Sequence, residues 1–294
     1  MKQNIPLGVS LLLLFAICAP IADSLVKLAT ADVMIWVIII WRFVGQVSIT
    51  GGILALRGSS EWPTGKDVFL LAMRGAVHIL AMCLLVAALR VMPIADATSI
   101  AFVLPFLMIA GGHFFLGETI QPYQIYCSIA GFIGVVLVLQ PNLIAIGWEA
   151  LLPLGMAFSF AIFQTLTRFL SSDYSPYAMQ FYSGLSSLCF FIPFAVLTSV
   201  DTAAEFNASF DVWPMLVAMA VMSTLSHILL TASLTYAPQS ILAPLQYIEL
   251  PFVIVIGYLV FGDIPVPMAM VGIVIIAASG LYASGVRPTR LRRR

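Results

Sequence analysis

Charged side chains are scarce in this chain of 294 residues, since aspartate, glutamate, lysine and arginine together make up only 9% of it. Soluble globular proteins carry about 25% charged residues and about 45–50% apolar residues. Here 62% of the residues are hydrophobic, which is more apolar surface than a soluble fold of this length could bury. The composition therefore excludes an ordinary water-soluble domain and indicates that lipid is the solvent.

The sequence also lacks the motifs of several catalytic classes. It has no GxxxxGK[ST] loop for nucleotide phosphates, no HExxH motif, no clustered histidines and cysteines, and no Gly-x-Ser-x-Gly nucleophile elbow. We therefore expect no enzymatic activity, no catalytic residue, no cofactor, no metal and no ATP-driven step. The formal net charge is zero, so no nucleic-acid partner is expected either.

Cysteine is rare as well, and none of the cysteines forms a CxxC pair. Each lies inside an apolar segment, which favours small core residues over disulfides or metal ligands. The four cysteines are Cys18, Cys83, Cys127 and Cys189.

Long apolar runs fill the chain instead. In lipid the backbone must satisfy its own hydrogen bonds, so spanning segments are helices or strands of a closed barrel. Barrel strands alternate apolar and polar residues, and runs such as residues 8–17 do not. A spanning helix needs about 20 mostly apolar residues, and turn residues separate ten such runs. We predict an all-α polytopic membrane protein whose ten transmembrane helices lie at residues 5–27, 33–56, 68–90, 95–116, 122–140, 148–169, 176–199, 212–235, 240–261 and 265–286.

Two stretches half a chain apart repeat each other. Residues 104–106 read Leu-Pro-Phe, and the apolar run that follows ends in Gly-Glu at residues 117–118. Residues 250–252 also read Leu-Pro-Phe, and the run that follows ends in Gly-Asp at residues 262–263. Such internal repetition is typical of transporters built from structural repeats.

The duplication predicts two five-helix repeats, residues 1–140 and residues 147–286, followed by a basic tail at residues 287–294. Five is an odd number, so the second repeat enters the membrane from the opposite face and is inverted relative to the first. Inverted repeats commonly place a substrate site near the membrane midplane, where one half rocks against the other.

Basic residues are distributed unevenly between the predicted loops. If the N-terminus is cytoplasmic, the cytoplasmic side holds most of them, whereas the longest outer loop carries three acids and no basic residue. This asymmetry follows the positive-inside rule. We therefore predict a multi-pass protein of the cytoplasmic (inner) membrane with both termini in the cytoplasm. The cytoplasmic basic residues are Lys2, Arg57, Lys66, Arg74, Arg168 and the arginines of the tail.

Several short segments together resemble a known family. They are Trp41-Arg42-Phe43, Arg74-Gly75, Ala88-Leu89-Arg90, Ala95-Asp96-Ala97, Leu104-Pro105-Phe106, Gly117-Glu118, residues 243–250 and Phe261-Gly262-Asp263. On these residues the chain resembles the drug/metabolite transporter superfamily, in particular its EamA-type ten-helix family. The family moves amino acids, nucleosides, vitamins, methylated cofactors and drugs, inward or outward. Residues 246–249 are similar to the branch of S-adenosylmethionine and riboflavin importers.

The resemblance implies a secondary transporter that moves a small polar metabolite, such as riboflavin or S-adenosylmethionine, by alternating access. Export of amino acids or drugs is an alternative. An intramembrane enzyme acting on lipids is less favoured, because the sequence has neither a paired-acid constellation nor a metal site. The expected partners are the small-molecule substrate, the lipid bilayer, and protons or a counter-substrate, with the chain acting as a monomer or homodimer.

Polar residues inside the spans are the candidates for the substrate site, because a charge at the bilayer centre costs about 2.5–3.5 kcal/mol on insertion scales. The densest cluster is Gln246, Tyr247 and Glu249 in the ninth helix, between Pro244 and Pro251. The two prolines are expected to kink this helix. Glu249 is the first candidate for a proton-titrating or cation-binding group.

Two further charged residues, Asp23 and Arg42, each have a functional and a structural interpretation. Asp23 is either a coupling carboxylate or substrate-amine contact, or an acid paired with Lys27 one turn on. Arg42, which follows Trp41, either clamps an anionic or carbonyl group of the substrate or forms a structural ion pair with Asp23 or Glu249.

The remaining candidates are histidines, amides and aromatic residues. His78 and His227 are either hydrogen-bonded structural residues or proton carriers in a cavity. Amides and phenols suit recognition of a neutral polar heterocycle, and phenylalanines could stack on it or simply pack. These candidates are Gln164, Gln180 and Tyr182, with Phe102, Phe106, Phe160 and Phe163.

Three other charged residues are interpreted as structural. Arg74 lies near the cytoplasmic end of its helix and is expected to extend to the membrane surface. Glu118 and Asp263 follow the two repeated apolar runs and are expected to act as structural caps.

Overall fold

The computed structural model describes residues 3–30, 32–58, 61–91, 97, 100–139, 147–198, 206–207, 209–262 and 267–285. Within these ranges the chain is built of helices and turns, with no strand. The helices are α1 (Ile5–Ala29), α2 (Ile35–Arg57), α3 (Lys66–Val91), α4 (Leu104–Leu116), α5 (Pro122–Leu139), α6 (Leu151–Leu170), α7 (Pro176–Thr198), α8 (Trp213–Tyr236), α9 (Gln239–Phe261) and α10 (Pro267–Gly285). Short 3₁₀ turns, Gly147–Ala150 and Ser209–Val212, precede α6 and α8.

Seven of these helices are long and apolar enough to cross a membrane: α1, α2, α3, α6, α7, α8 and α9. The apolar stretches of α4, α5 and α10 are shorter within the described residues. The predicted fourth helix began at residue 95, but residues 92–96 and 98–99 lie outside the described part of the chain. The predicted all-α polytopic membrane fold is confirmed.

Helix α9 is irregular where the sequence predicted a kink. It begins with an α-turn, Gln239–Leu242, continues as a 3₁₀ segment, Ala243–Ile248, and becomes α-helical again at Glu249–Phe261. Pro244 stands at the start of the 3₁₀ segment and has no N–H to donate along the helix. A 3₁₀ stretch inside a long helix often marks a functional hinge.

Helix packing follows an approximate two-fold pattern. Let each helix of the first half stand for its counterpart five places later in the chain, so that α1 corresponds to α6, α3 to α8 and α4 to α9. The contact between α1 and α8 then has its counterpart in the contact between α6 and α3, and the contact between α1 and α9 in that between α6 and α4. The contact of α3 with α7 likewise becomes that of α8 with α2. The pairs α2–α7, α4–α9 and α5–α10 each exchange with themselves. This is the packing that an internal duplication predicts.

Glycines let some of these helices approach closely. A Cβ atom added to Gly134 of α5 would stand 2.8 Å from the carbonyl oxygen of Gly272 in α10 and 2.7 Å from the Ile276 side chain. A Cβ atom on Gly272 would collide with the carbonyl oxygen of Gly134. Small residues therefore set the α5–α10 distance, as is common where helices pack in lipid.

Candidate functional site

Arg42 of α2 is buried, with 6% of its surface exposed. Its Nη2 lies 2.5 Å from Nε2 of His227 in α8, and its Nη1 donates to the Met82 sulfur in α3 at 3.2 Å. Its Nε has no hydrogen-bond partner among the described residues. The structural ion pair with Asp23 or Glu249 is not formed, since neither carboxylate lies within 4 Å of the Arg42 guanidinium in the described part of the chain.

The contact with Arg42 determines which ring nitrogen of His227 carries the proton. A guanidinium can only donate, so the Nε2 of a neutral His227 must accept, and its Nδ1 carries the hydrogen. That Nδ1 has no partner in the described part of the protein. His227 therefore holds an unused donor beside the unused Nε–H of Arg42.

His78 stands in the middle of α3 with 1% of its surface exposed. Its ring centroid lies 4.7 Å from that of His227, 4.5 Å from that of Phe163 and 5.4 Å from that of Phe43. Neither of its ring nitrogens has a partner in the described ranges. Each unpaired buried polar atom costs about 1–3 kcal/mol, so a polar ligand atom would be stabilised most here. We call Arg42, His78 and His227 the donor cluster.

Asp23 of α1 and Glu249 of α9 form a second group, which we call the acidic pair. The two helices that carry them pack against each other. The Asp23 side chain is accessible and Glu249 is half-buried. Lys27, the alternative partner of Asp23, lies instead with its Nζ 3.9 Å from the ring centroid of Phe261.

Arg74 is fully buried, so the prediction that it extends to the membrane surface is wrong. Its Nε donates to Thr167 Oγ1 at 2.7 Å, and its Nη2 donates to Thr231 Oγ1 at 3.2 Å. Its Nη1 donates to Ser183 Oγ at 2.8 Å and to the Met179 carbonyl at 3.0 Å. These neutral acceptors belong to α6, α7 and α8, so Arg74 ties α3 to the second half of the chain.

Gln180 of α7 is fully buried and forms a hydrogen bond with the backbone of His227, a member of the donor cluster. Its Nε2 donates to the Thr231 hydroxyl at 2.6 Å and to the His227 carbonyl at 2.9 Å. Its Oε1 accepts from Gln46 Nε2 of α2 at 2.9 Å. Because these amide hydrogen bonds are internal, we assign Gln180 to positioning the turn of α8 that carries His227.

Gln164 of α6 and Gln246 of α9 face each other and are both buried. Gln246 Nε2 donates to Gln164 Oε1 at 2.8 Å, and the reverse contact measures 3.5 Å. The two candidate amides are thus brought together as a reciprocal pair between α6 and α9.

Tyr247 of α9 contacts residues of the first half of the chain. Its hydroxyl donates to the Phe102 carbonyl at 3.1 Å, and its ring fills the space left by the missing side chain of Gly131. Because the ring is fully buried, Tyr247 holds α9 against the first half of the chain.

Two other aromatic candidates, Trp41 and Tyr182, pack against phenylalanine rings. The Trp41 ring meets that of Phe210 edge-on, with 6.1 Å between their centroids. The Tyr182 ring meets that of Phe181 edge-on at 5.2 Å.

Phe160 and Phe163 of α6, by contrast, do lie beside the cluster. Their rings stack with centroids 5.3 Å apart, and both contact His78.

Sequence reasoning missed Met82, whose sulfur accepts a hydrogen bond from Arg42. An apolar residue within an apolar helix gives no sequence signal of such a role.

Of the two predicted caps, Glu118 is described and Asp263 lies outside the described residues. The Glu118 carboxylate accepts hydrogen bonds from the backbone N–H groups of Gln239 and Ser240, at 2.9 and 2.8 Å. It therefore caps the first turn of α9, a helix of the other half of the chain, where an acid is favoured. Its structural role is confirmed.

Residues 6–140 and residues 147–284 match the EamA-like transporter family. The chain belongs to that family. A crystal structure with a TM-score of 0.76 and 15% sequence identity covers 96% of this chain and shares its fold, with 97% of its own chain covered.

Curated relatives of this family member carry transporter names. The chain is 26% identical over 202 residues to a riboflavin transporter of Rhizobium johnstonii, covering 67% of this chain and 64% of that protein. It is 26% identical over 220 residues to an S-adenosylmethionine uptake transporter of Rickettsia bellii, covering 73% and 72%. It is 25% identical over 282 residues to a pseudopaline exporter of Pseudomonas aeruginosa, covering 94% and 95%. The chain is thus a membrane protein related to metabolite transporters.

Proposed function

We propose that this protein is a secondary transporter that moves a small polar organic metabolite across the cytoplasmic membrane by alternating access. The observation that carries the proposal is the buried donor cluster, where side chains from α2, α3 and α8 meet. It contains four polar atoms without a partner in the described residues: Arg42 Nε, His227 Nδ1 and both nitrogens of His78. A soluble cargo needs such polar contacts to replace its hydration inside a membrane.

The two halves, residues 1–140 and 147–286, would rock against each other around this cluster. Arg42 and His78 belong to the first half and His227 to the second, so relative motion of the halves changes the geometry at the cargo. Both termini would face the cytoplasm, and protons or a counter-substrate would drive the cycle. The transporting unit would be a monomer or a homodimer.

The cargo class would be a vitamin such as riboflavin or a nucleoside-like cofactor such as S-adenosylmethionine, since proteins named for the transport of both are relatives. Export is the second candidate, and the relative named as a pseudopaline exporter, matched over 94% of this chain, favours it. The direction of transport is separate from the site, because the same site serves both directions in an alternating-access cycle.

A counterflow assay tests the proposal. Purified protein in liposomes preloaded with unlabelled compound would be given the same compound, radiolabelled, outside; the panel contains riboflavin, S-adenosylmethionine and amino acids. We expect saturable uptake of at least one compound, faster than in liposomes without internal compound. Lack of such exchange for every compound, from protein that is monodisperse in detergent, would contradict the proposal.

A further inference from the structure

We infer that the cargo is a zwitterion, with its anionic group held by Arg42, His78 and His227 and its cationic group held by Asp23 and Glu249. This inference rests on the proposed transport function and specifies the chemistry of the cargo at the same site.

The unpaired atoms of the donor cluster are mostly donors. The Nε of Arg42 donates, and the Nδ1 of His227 donates because Nε2 accepts from Arg42. A neutral His78 offers one donor and one acceptor in either tautomer. The cluster therefore presents three donors for one acceptor. A carboxylate, which only accepts and has about four lone-pair sites, matches this set, whereas an amine or ammonium does not.

The charge around the cluster points the same way. Arg42 contacts His227 directly, and the Arg74 guanidinium lies 4.2 Å from the ring centroid of Phe163, whose ring is 4.5 Å from that of His78. Neither arginine forms an ion pair within 4 Å among the described residues, since Arg74 is satisfied by hydroxyl and carbonyl groups. Two buried positive charges without a directly bound anion favour an anionic ligand group, because buried charges are normally paired.

The acidic pair provides the opposite pole. Asp23 and Glu249 lie on two helices that pack together, α1 and α9. No basic side chain lies within 4 Å of either carboxylate in the described chain. A cationic group placed at this pair would be attracted by both carboxylates.

The two poles lie on neighbouring helices, because α8, which carries His227, packs against both α1 with Asp23 and α2 with Arg42, and α1 packs against α9. A single small molecule carrying opposite charges a few bonds apart can therefore engage both. S-adenosylmethionine has this chemistry, with a carboxylate, an ammonium and a sulfonium. Riboflavin is neutral and would leave both poles unpaired. Among the compounds named for relatives, the structure therefore favours the zwitterion.

Matched analogues separate the two poles. Binding to the purified full-length protein would be measured by isothermal titration for S-adenosylmethionine, for its decarboxylated form, which keeps the amine and sulfonium, and for riboflavin. We expect S-adenosylmethionine to bind at least tenfold more tightly than the decarboxylated form and riboflavin. In Arg42→Gln the ratio of the first two affinities should fall towards one. In Glu249→Gln both affinities should fall together and leave the ratio as in the unchanged protein.

Affinity ratios do not depend on how much of a variant is folded, and Arg42→Lys, which keeps the positive charge, should recover part of the lost ratio. Tighter binding of riboflavin than of S-adenosylmethionine would overturn the zwitterion inference while leaving the transport function standing. An Arg42→Gln ratio equal to that of the unchanged protein would overturn the assigned pole. Failure of every compound in both the binding and the counterflow experiments would remove the proposed function and this inference with it.

Discussion

Arg168 of α6 and Glu118, just beyond α4, form an ion pair in which Nε and Oε1 lie 3.7 Å apart. The same Glu118 carboxylate accepts the N–H groups of Gln239 and Ser240, and Arg168 Nη1 donates to the Leu234 carbonyl at 2.8 Å. These contacts connect the end of α4 in the first half to α6, α8 and α9 in the second. We call Glu118, Arg168, Gln239 and Ser240 the latch.

The latch joins the halves at one end of the bundle, which the predicted topology places in the cytoplasm. A cavity of about 610 Å³ opens beside it and is lined in part by Glu118, Arg168 and Ser240. In an alternating-access cycle these contacts would have to separate whenever this end opens.

The first prediction concerns the latch. Glu118→Gln removes the ion pair with Arg168. It also replaces the charged carboxylate, whose two oxygens accept from two N–H groups, by an amide with a single neutral oxygen acceptor. Hydrogen bonds to charged groups contribute about 1.5–3 kcal/mol, so we expect a lower melting temperature in detergent. Glu149→Gln, the same change at an exposed residue, is the control and should melt with the unchanged protein. Equal melting of both variants would show that the latch does not hold the halves together.

The second prediction concerns Arg74, whose donors reach neutral acceptors on three helices of the other half. Arg74→Lys keeps the charge but offers donors from a single nitrogen and cannot span these acceptors. We expect a loss of monodisperse protein in size-exclusion chromatography and a melting temperature lower by about 5 °C or more.

Arg57→Lys is the matched control, because Arg57 is exposed and its guanidinium stacks on Tyr177. This control should stay monodisperse. If Arg74→Lys were as stable as the control, Arg74 would not be a structural tie, and it would have to be counted with the cargo-binding groups.

The third prediction concerns the α5–α10 interface. Gly272→Val would place its side chain against the backbone of Gly134 and the side chain of Val138, so the helices must separate. Overpacking typically costs about 1–3 kcal/mol, and we expect a lower yield of folded protein and a lower melting temperature. Gly52→Val is the control, because a Cβ at Gly52 meets nothing within 4 Å. Equal melting of the two variants would contradict the close packing of α5 and α10.

Much of the fold could be predicted from the sequence, because apolar runs of spanning length and a repeated motif are local signals. The Leu-Pro-Phe repeat at residues 104–106 and 250–252 identified the duplication. The irregular course of α9 followed from Pro244 and Pro251. These features depend on the residues nearby and on the lipid environment.

The candidate site could be predicted only as a set of separate residues. Arg42 and His227 were both candidates, but they are 185 positions apart, and nothing in the sequence says which polar residues of ten helices meet. Arg74 was misread because its partners are hydroxyl and carbonyl groups, such as Thr167 and Ser183, which are common in any membrane helix. The pairing emerges only from helix packing.

The most direct test of the account is counterflow of S-adenosylmethionine in liposomes containing Glu249→Gln, beside Glu149→Gln as control. Glu249 is the carboxylate at the middle of α9, so its neutralisation should lower the exchange rate at least tenfold while the protein still inserts and elutes as a single species. The control should exchange at the unchanged rate. Normal exchange by Glu249→Gln would contradict the claim that the polar residues between the two halves hold the cargo.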